Sequence, residues 1–149
     1  MIPIWYHLTN EDKMKLLTRD TDYAIRALCF IAKRKNEVIS AAQLVEELKI
    51  PRPFLRKILQ KLNKTGVLKS QKGSGGGFSL AARADKILLT DLIKVFQGAL
   101  KLNECHLKRK PCPDRQTCAL KRKIDDIERY VSSQLGSITI GGLIRTGEK

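Results

Sequence analysis

Acidic residues are in short supply in this chain: 15 Asp plus Glu stand against 29 Lys plus Arg, a net charge of +14 over 149 residues. An imbalance of that size implies a polyanionic partner, with nucleic acid the first candidate and an anionic membrane surface the second. A membrane span is excluded by another lack. The longest run free of charged residues, Tyr130 to Ile144, is broken by Ser132, Ser133, Gln134, Ser137 and Thr139, whereas a spanning helix needs about 20 mostly apolar residues. No basic n-region, apolar h-region and small-residue cleavage site open the chain, so a cytoplasmic protein with reduced cysteines is expected. Histidine is limited to His7 and His106, and no paired-carboxylate, Ser-His or metal-water constellation is present. The chain is therefore expected not to be an enzyme. The glycine-rich stretch Gln71 to Gly77 has neither the G-x-x-x-x-G-K-[ST] spacing nor the following helix of a phosphate-cradling loop, which argues against a nucleotide site.

What is present reads as a series of short amphipathic helices. Ala24, Ile25, Leu28, Ile31 and Ala32 form an apolar stripe over Thr21 to Lys33, with Cys29 inside it as a small core residue. Ser40 and Gln43 make a capping box, and the helix it opens buries Ala41, Leu44, Val45 and Leu48. A turn through Ile50, Pro51 and Arg52 leads to a third helix near Pro53, with Leu55, Ile58, Leu59 and Leu62 inward and Gly66 as its stop. Two short helices joined this way are a helix-turn-helix candidate. The third helix leaves Arg52, Arg56, Lys57, Gln60, Lys61, Asn63 and Lys64 on its outer face. Alone this could be a solvated face, but the net charge and the next segment favour nucleic-acid contact. Val67 to Ser70 and Phe78 to Leu80 read as strands around the glycine-rich turn. With Lys69 and Lys72 beside glycines that let backbone approach a phosphate, the hairpin reads as the wing of a winged helix.

Three of the four cysteines are spaced Cys105-x6-Cys112-x5-Cys118. Thiolates are soft ligands for zinc, copper(I) or iron–sulfur clusters, and Lys108, Arg109, Lys110 and Arg115 around them favour the thiolate form. Pro111 and Pro113 make the segment a loop. The spacing matches neither the paired cysteines of structural zinc sites nor a common cluster signature. A bound metal or cluster, a thiol redox switch and incidental cysteines all remain open.

The run Tyr23-Ala24-Ile25-Arg26-Ala27-Leu28, the block Phe54-Leu55 with Ile58, Leu62 and Gly66-Val67-Leu68, the wing Gly75-Gly76-Gly77-Phe78-Ser79-Leu80 and the three cysteines together resemble the Rrf-type winged-helix regulators, the family of IscR, NsrR and RirA. The similarity runs from Met14 to about Arg145. It implies a mainly α fold: a winged helix-turn-helix DNA-binding domain with a two-stranded β wing, plus a long C-terminal dimerisation helix. The corresponding division is 1–13 N-terminal extension, 14–99 DNA-binding domain, 100–118 cysteine loop and 119–149 dimerisation helix and tail. Leu89, Leu92, Ile93 and Phe96 would form a helix capped by Thr90 and ended by Gly98 that closes the DNA-binding domain. Leu120, Ile124, Ile127, Val131 and Leu135 would line the dimerisation helix, with a terminal helix from Ile138 to Ile144 packed on it.

The resemblance also implies a function. A homodimeric transcription regulator, acting as a repressor, would bind double-stranded DNA at an inverted-repeat operator through Arg52, Arg56, Lys57, Gln60, Lys61, Lys69 and Lys72. Cys105, Cys112 and Cys118 would hold an iron–sulfur cluster, 2Fe-2S or 4Fe-4S, that senses nitric oxide, iron or redox state. The histidine that completes one branch of the family is replaced here by Lys121. Asp22 matches the aspartate that another branch supplies from the partner subunit, and His106 is its rival. The alternatives are a cluster-free thiol redox switch and a zinc-stabilised DNA-binding module.

Overall fold

Thr18 starts the first helix of the computed structural model, which describes residues 15–102, 112, 114 and 116–147. The Thr18 hydroxyl accepts the Thr21 N–H at 3.4 Å, and α1 (Arg19–Lys33) follows with Asp20 and Asp22 in its first turn, where carboxylates meet the positive helix end. Ala24, Ala27, Leu28, Ile31 and Ala32 are buried along it. This helix is the hub of the fold, since α2, α3, α4, β2 and α6, defined below, all pack against it.

The expected capping box opens α2 (Ala41–Leu48): the Gln43 N–H donates to Ser40 Oγ at 3.2 Å and the Ser40 N–H donates to Gln43 Oε1 at 2.8 Å. Lys49, with φ +54°, ends α2, and α3 (Arg52–Lys64) begins after Pro51 with Pro53 in its first turn. Gly66 has φ +79°, a conformation that costs a residue with a Cβ, and it turns the chain so that the Val67 N–H returns to the Leu62 carbonyl at 3.0 Å.

Strands β1 (Leu68–Gln71) and β2 (Gly77–Leu80) pair antiparallel, Leu68 opposite Leu80 and Gln71 opposite Gly77. A contact not legible as a strand joins them. Ile39, just ahead of α2, exchanges both backbone hydrogen bonds with Phe78, at 2.8 and 2.9 Å. The wing is thereby tied to the segment between α1 and α2. A Cβ on Gly77 would overlap the Ile39 carbonyl oxygen, so the close approach this glycine permits is to the chain's own backbone.

A 3-10 turn (Ala84–Lys86) precedes α4 (Leu89–Gln97), which Gly98 ends as expected. The expected cap is corrected: Thr90 lies inside the first turn, and the N-cap position is Leu88, without a side-chain bond. Backbone meets the first donor of each helix instead. The Leu89 N–H donates to the Ile138 carbonyl at 2.9 Å and the Ile140 N–H to the Ile87 carbonyl at 3.0 Å, so neither of these helix-start donors is left without a partner.

The same bridge redirects the C-terminus. α5 (Ala119–Gly136) ends three residues before α6 (Ile140–Thr146), whose Thr139 cap accepts the Gly142 N–H at 3.0 Å. Contrary to expectation, α6 packs on α1 and the 3-10 turn instead of on α5. Ile140 is fully buried in the main core with Leu28, Leu44, Leu55 and Leu92, and truncating such a residue to Ala costs about 2–5 kcal/mol. A smaller core joins Leu89 and Ile93 of α4 to Leu135 of α5. Among the described residues no helix is long and apolar enough to cross a membrane.

Candidate nucleic-acid interface and cysteine site

The outer face of α3 emerges as its periodicity predicts. Leu55, Ile58, Leu59 and Leu62 are buried, which leaves Arg52, Arg56, Lys57, Gln60, Lys61, Asn63 and Lys64 exposed. None of these cations makes an ion pair with another described residue. Their charge is thus directed at whatever binds the face, because pairing would have cancelled it locally. Lys61 has one internal partner: its Nζ lies 5.2 Å from the centre of the Phe96 ring, a cation–π contact that ties α3 to α4.

Beyond the Gly66 turn, Lys69 on β1 and Lys72 at the hairpin tip are also exposed. The helix and the wing therefore form a cationic pair of elements in the order that a winged helix uses to straddle a groove and its flanking phosphates. One residue that periodicity did not single out joins them. Phe54, in the first turn of α3, is 44% exposed beside Arg52 and Arg56 in sequence. Its aromatic character between Arg52 and Arg56, off the buried stripe that starts at Leu55, was the available signal, since apolar groups at this position can meet a thymine methyl.

The cysteine segment is bracketed by contacts to α5. At one end the Leu102 N–H donates to Glu128 Oε2 at 3.0 Å; at the other the Thr117 and Cys118 N–H groups both donate to the Asp114 carbonyl, at 3.0 and 2.7 Å. Cys118 is the N-cap of α5, and its Sγ accepts the Lys121 N–H at 3.4 Å. That position turns one of the free donors of the helix start, the Lys121 N–H, toward sulfur. Cys112 and Cys118 are half-buried free thiols. Cys105 and His106 lie outside the described residues, as do Lys108 to Lys110, His7 and the extension before Lys15. Among the described residues no group of three or more His, Cys, Asp or Glu is gathered closely enough to hold a metal. Cys29 sits apart, half-buried among core residues of α1, and burial pushes its thiol pKa up, the nearby Lys33 charge acting the other way.

Lys121 and Asp22 occupy informative places. The Lys121 ammonium pairs with Asp125 one turn along α5, while its backbone N–H donates to the Cys118 sulfur. Asp22 accepts from Arg26 Nε at 2.8 Å on the exposed side of α1; to ligate anything it would have to leave Arg26.

Along α5 the expected apolar stripe divides in two. Leu135 is buried and Val131 packs with it against α4, whereas Leu120 (67% exposed), Ile127 (51%) and the neighbouring Tyr130 (66%) have no such cover among the described residues.

Residues 17–146 match the Rrf2 family, described as "Iron-dependent Transcriptional regulator". An HTH-type transcriptional regulator of Aquifex aeolicus is 35% identical over 129 residues, covering 85% of this chain and 90% of that protein. The HTH-type transcriptional repressor NsrR of Streptomyces coelicolor is 26% identical over 130 residues, 86% and 87% of the two chains. Among solved structures, CymR, the global cysteine regulator of B. subtilis, superposes with a TM-score of 0.74 over 89% of this chain and 98% of its own, at 22% identity.

Proposed function

The chain belongs to the Rrf2 family of transcriptional regulators, and from that premise we propose that it is a homodimeric repressor whose grip on an inverted-repeat operator is controlled by an iron–sulfur cluster on Cys105, Cys112 and Cys118. The observation that carries the DNA reading is the row of cations on α3 with no ion-pair partner among the described residues, next to the exposed Lys69 and Lys72 of the wing. Arg52 and Arg56 are assigned to base edges, Lys57, Gln60 and Lys61 to the groove walls, and Lys69 and Lys72 to phosphates.

Dimerisation is assigned to the uncovered stretch of α5. Leu120, Ile127 and Tyr130 lie on a helix whose far end is already buried on α4, and burying what remains exposed of such side chains yields on the order of 1 kcal/mol each.

The donors present suit the cluster. Two half-buried thiols, one at a helix N-cap, are the soft ligands that iron–sulfur centres take, and Cys105 is the third; Asp22 of the partner subunit or His106 is assigned to complete the set. Bound there, a cluster would supply a centre whose ligation responds to nitric oxide, oxidation or loss of iron. The chain's own residues carry the consequence. Cys118 heads α5, Val131 and Leu135 seat α5 on α4, and Phe96 of α4 holds Lys61 of α3. A shift at the head of α5 is thereby linked to the reading helix through packed elements.

Anaerobic purification followed by an absorption spectrum and an iron count tests this reading. Brown protein with iron supports it. Colourless protein with one zinc per chain, or with no metal and a redox-active thiol pair, replaces it with a zinc-stabilised module or a thiol switch.

A further inference from the structure

A cleft of about 650 Å³ opens between the C-terminal end of α1 and the stretch that leads out of the wing. Its apolar wall is made by Ile31, Val38 and Leu80, and its cations are Arg34, Lys35 and Arg83. The single carboxylate among its lining residues, Asp85, is already engaged: Arg145 Nη1 donates to Asp85 Oδ1 at 2.7 Å and Arg83 lies 3.8 Å from the other oxygen. The Arg145 hydrogen bond, then its charge, holds the Asp85 carboxyl below the ordinary carboxylate range. With that carboxylate cancelled by Arg145, the remaining lining is strongly cationic over an apolar floor.

A backbone donor adds to it. Phe78 directs its N–H and carbonyl to Ile39, away from β1. By the alternation of antiparallel pairing, the next outward-facing groups on β2 are those of Leu80. They lie past the end of the Ile39 bridge, and no described residue hydrogen-bonds them. An unmatched backbone pair at the wall of a cleft is a place for a ligand group or a water. The concavity favours a small molecule over duplex DNA, whose phosphates would meet a cationic ridge or a flat face more readily than a recess floored by Ile31 and Leu80.

We propose that this cleft binds a small amphipathic anion, with a carboxylate, sulfonate or phosphate set among Arg34, Lys35 and Arg83 near the Leu80 N–H and an apolar body against Ile31, Val38 and Leu80. Binding there requires neither the cysteines nor DNA.

The test uses the full chain and 8-anilinonaphthalene-1-sulfonate as an anionic probe, with N-phenyl-1-naphthylamine as its uncharged counterpart, each titrated by fluorescence. Lys35→Gln with Arg83→Gln removes two exposed charges without touching the core, and should weaken the sulfonate about three- to tenfold, the range set by two rim charges, while leaving the neutral probe unchanged. Ala82→Phe, which fills the cleft from an exposed position, should weaken both probes. If the double variant and Ala82→Phe leave sulfonate binding as in the parent chain, the site is overturned. It is equally overturned if the double variant binds the sulfonate normally but loses affinity for duplex DNA with a salt slope lower by about 2, because the charges would then belong to a phosphate track.

Discussion

Gln97, the last residue of α4, places its Oε1 2.8 Å from the hydroxyl of Thr21 on α1, across 76 residues of sequence. The same oxygen accepts the Thr18 N–H at 3.0 Å, and the Gln97 Nε2 donates to the Leu16 carbonyl at 3.0 Å. One amide side chain thus fastens the start of α1, the turn that carries Asp22, to the end of α4. Gln97→Ala should lower stability by about 1–3 kcal/mol, because the Thr18 N–H and the Leu16 carbonyl lose their partner and the fully buried Thr21 hydroxyl is left with the Thr18 hydroxyl alone. A urea denaturation midpoint checks this, and an unchanged midpoint would show that water replaces the amide at no cost.

The two kinds of contact assigned to DNA should separate by salt dependence. Arg56→Ala is expected to cost about 1–3 kcal/mol and to relax the preference at one base pair, whereas Lys72→Ala should weaken all sequences alike and lower the salt slope by about 1. Fluorescence anisotropy on a selected operator and on scrambled DNA at several salt concentrations reads both effects.

Phe54 tests the face from its apolar side. Phe54→Ala should leave the salt slope as it is, since no charge is lost, yet reduce discrimination at a thymine-bearing position by roughly 1 kcal/mol or more. A protein that binds the operator and its cytosine-substituted version in an unchanged ratio would remove Phe54 from the interface.

Much of this was legible because it is local. The Ser40–Gln43 capping box and the two faces of α3 follow from spacing alone, and both match. What was not legible depends on distant backbone. Thr90 carries the right side chain for a cap but loses the role because Leu88 and Leu89 find partners about 50 residues away, at Thr139 and Ile138. The same pairing draws α6 back onto α1. Ile39 gave no strand pattern since a single bridge needs none. At the cysteines, three thiols within fourteen residues raised a ligand set that their spacing did not decide, and the N-cap role of Cys118 emerges only once α5 has a start.

Gly77→Ala follows from the Ile39 contact. The added Cβ collides with the Ile39 carbonyl oxygen, so the wing must detach from that segment or shift, at about 1–3 kcal/mol or more. The expected result is a lower urea midpoint together with weaker binding to DNA of every sequence. A fully stable variant would show that the wing moves freely relative to Ile39.

Thiol chemistry should sort the four cysteines. In protein stripped of metal, the half-buried Cys29, whose pKa burial raises, should react with a disulfide reagent more slowly than Cys105, Cys112 and Cys118, because thiolate is the reacting species. Chain with those three changed to Ala should therefore retain only a slow phase. A fast phase in that variant would place a reactive thiol at Cys29.

A cluster on Cys105, Cys112 and Cys118 should govern DNA binding. The most direct measurement is operator affinity of the anaerobically purified protein, with iron counted in the same sample, before and after the iron is removed by chelation. The prediction is a coloured, iron-containing protein whose affinity changes by about 5- to 150-fold on iron loss, the span of ordinary coupling free energies, with Cys112→Ala fixed at the iron-free value. Equal affinity with and without iron, in protein that still binds the operator, would contradict it.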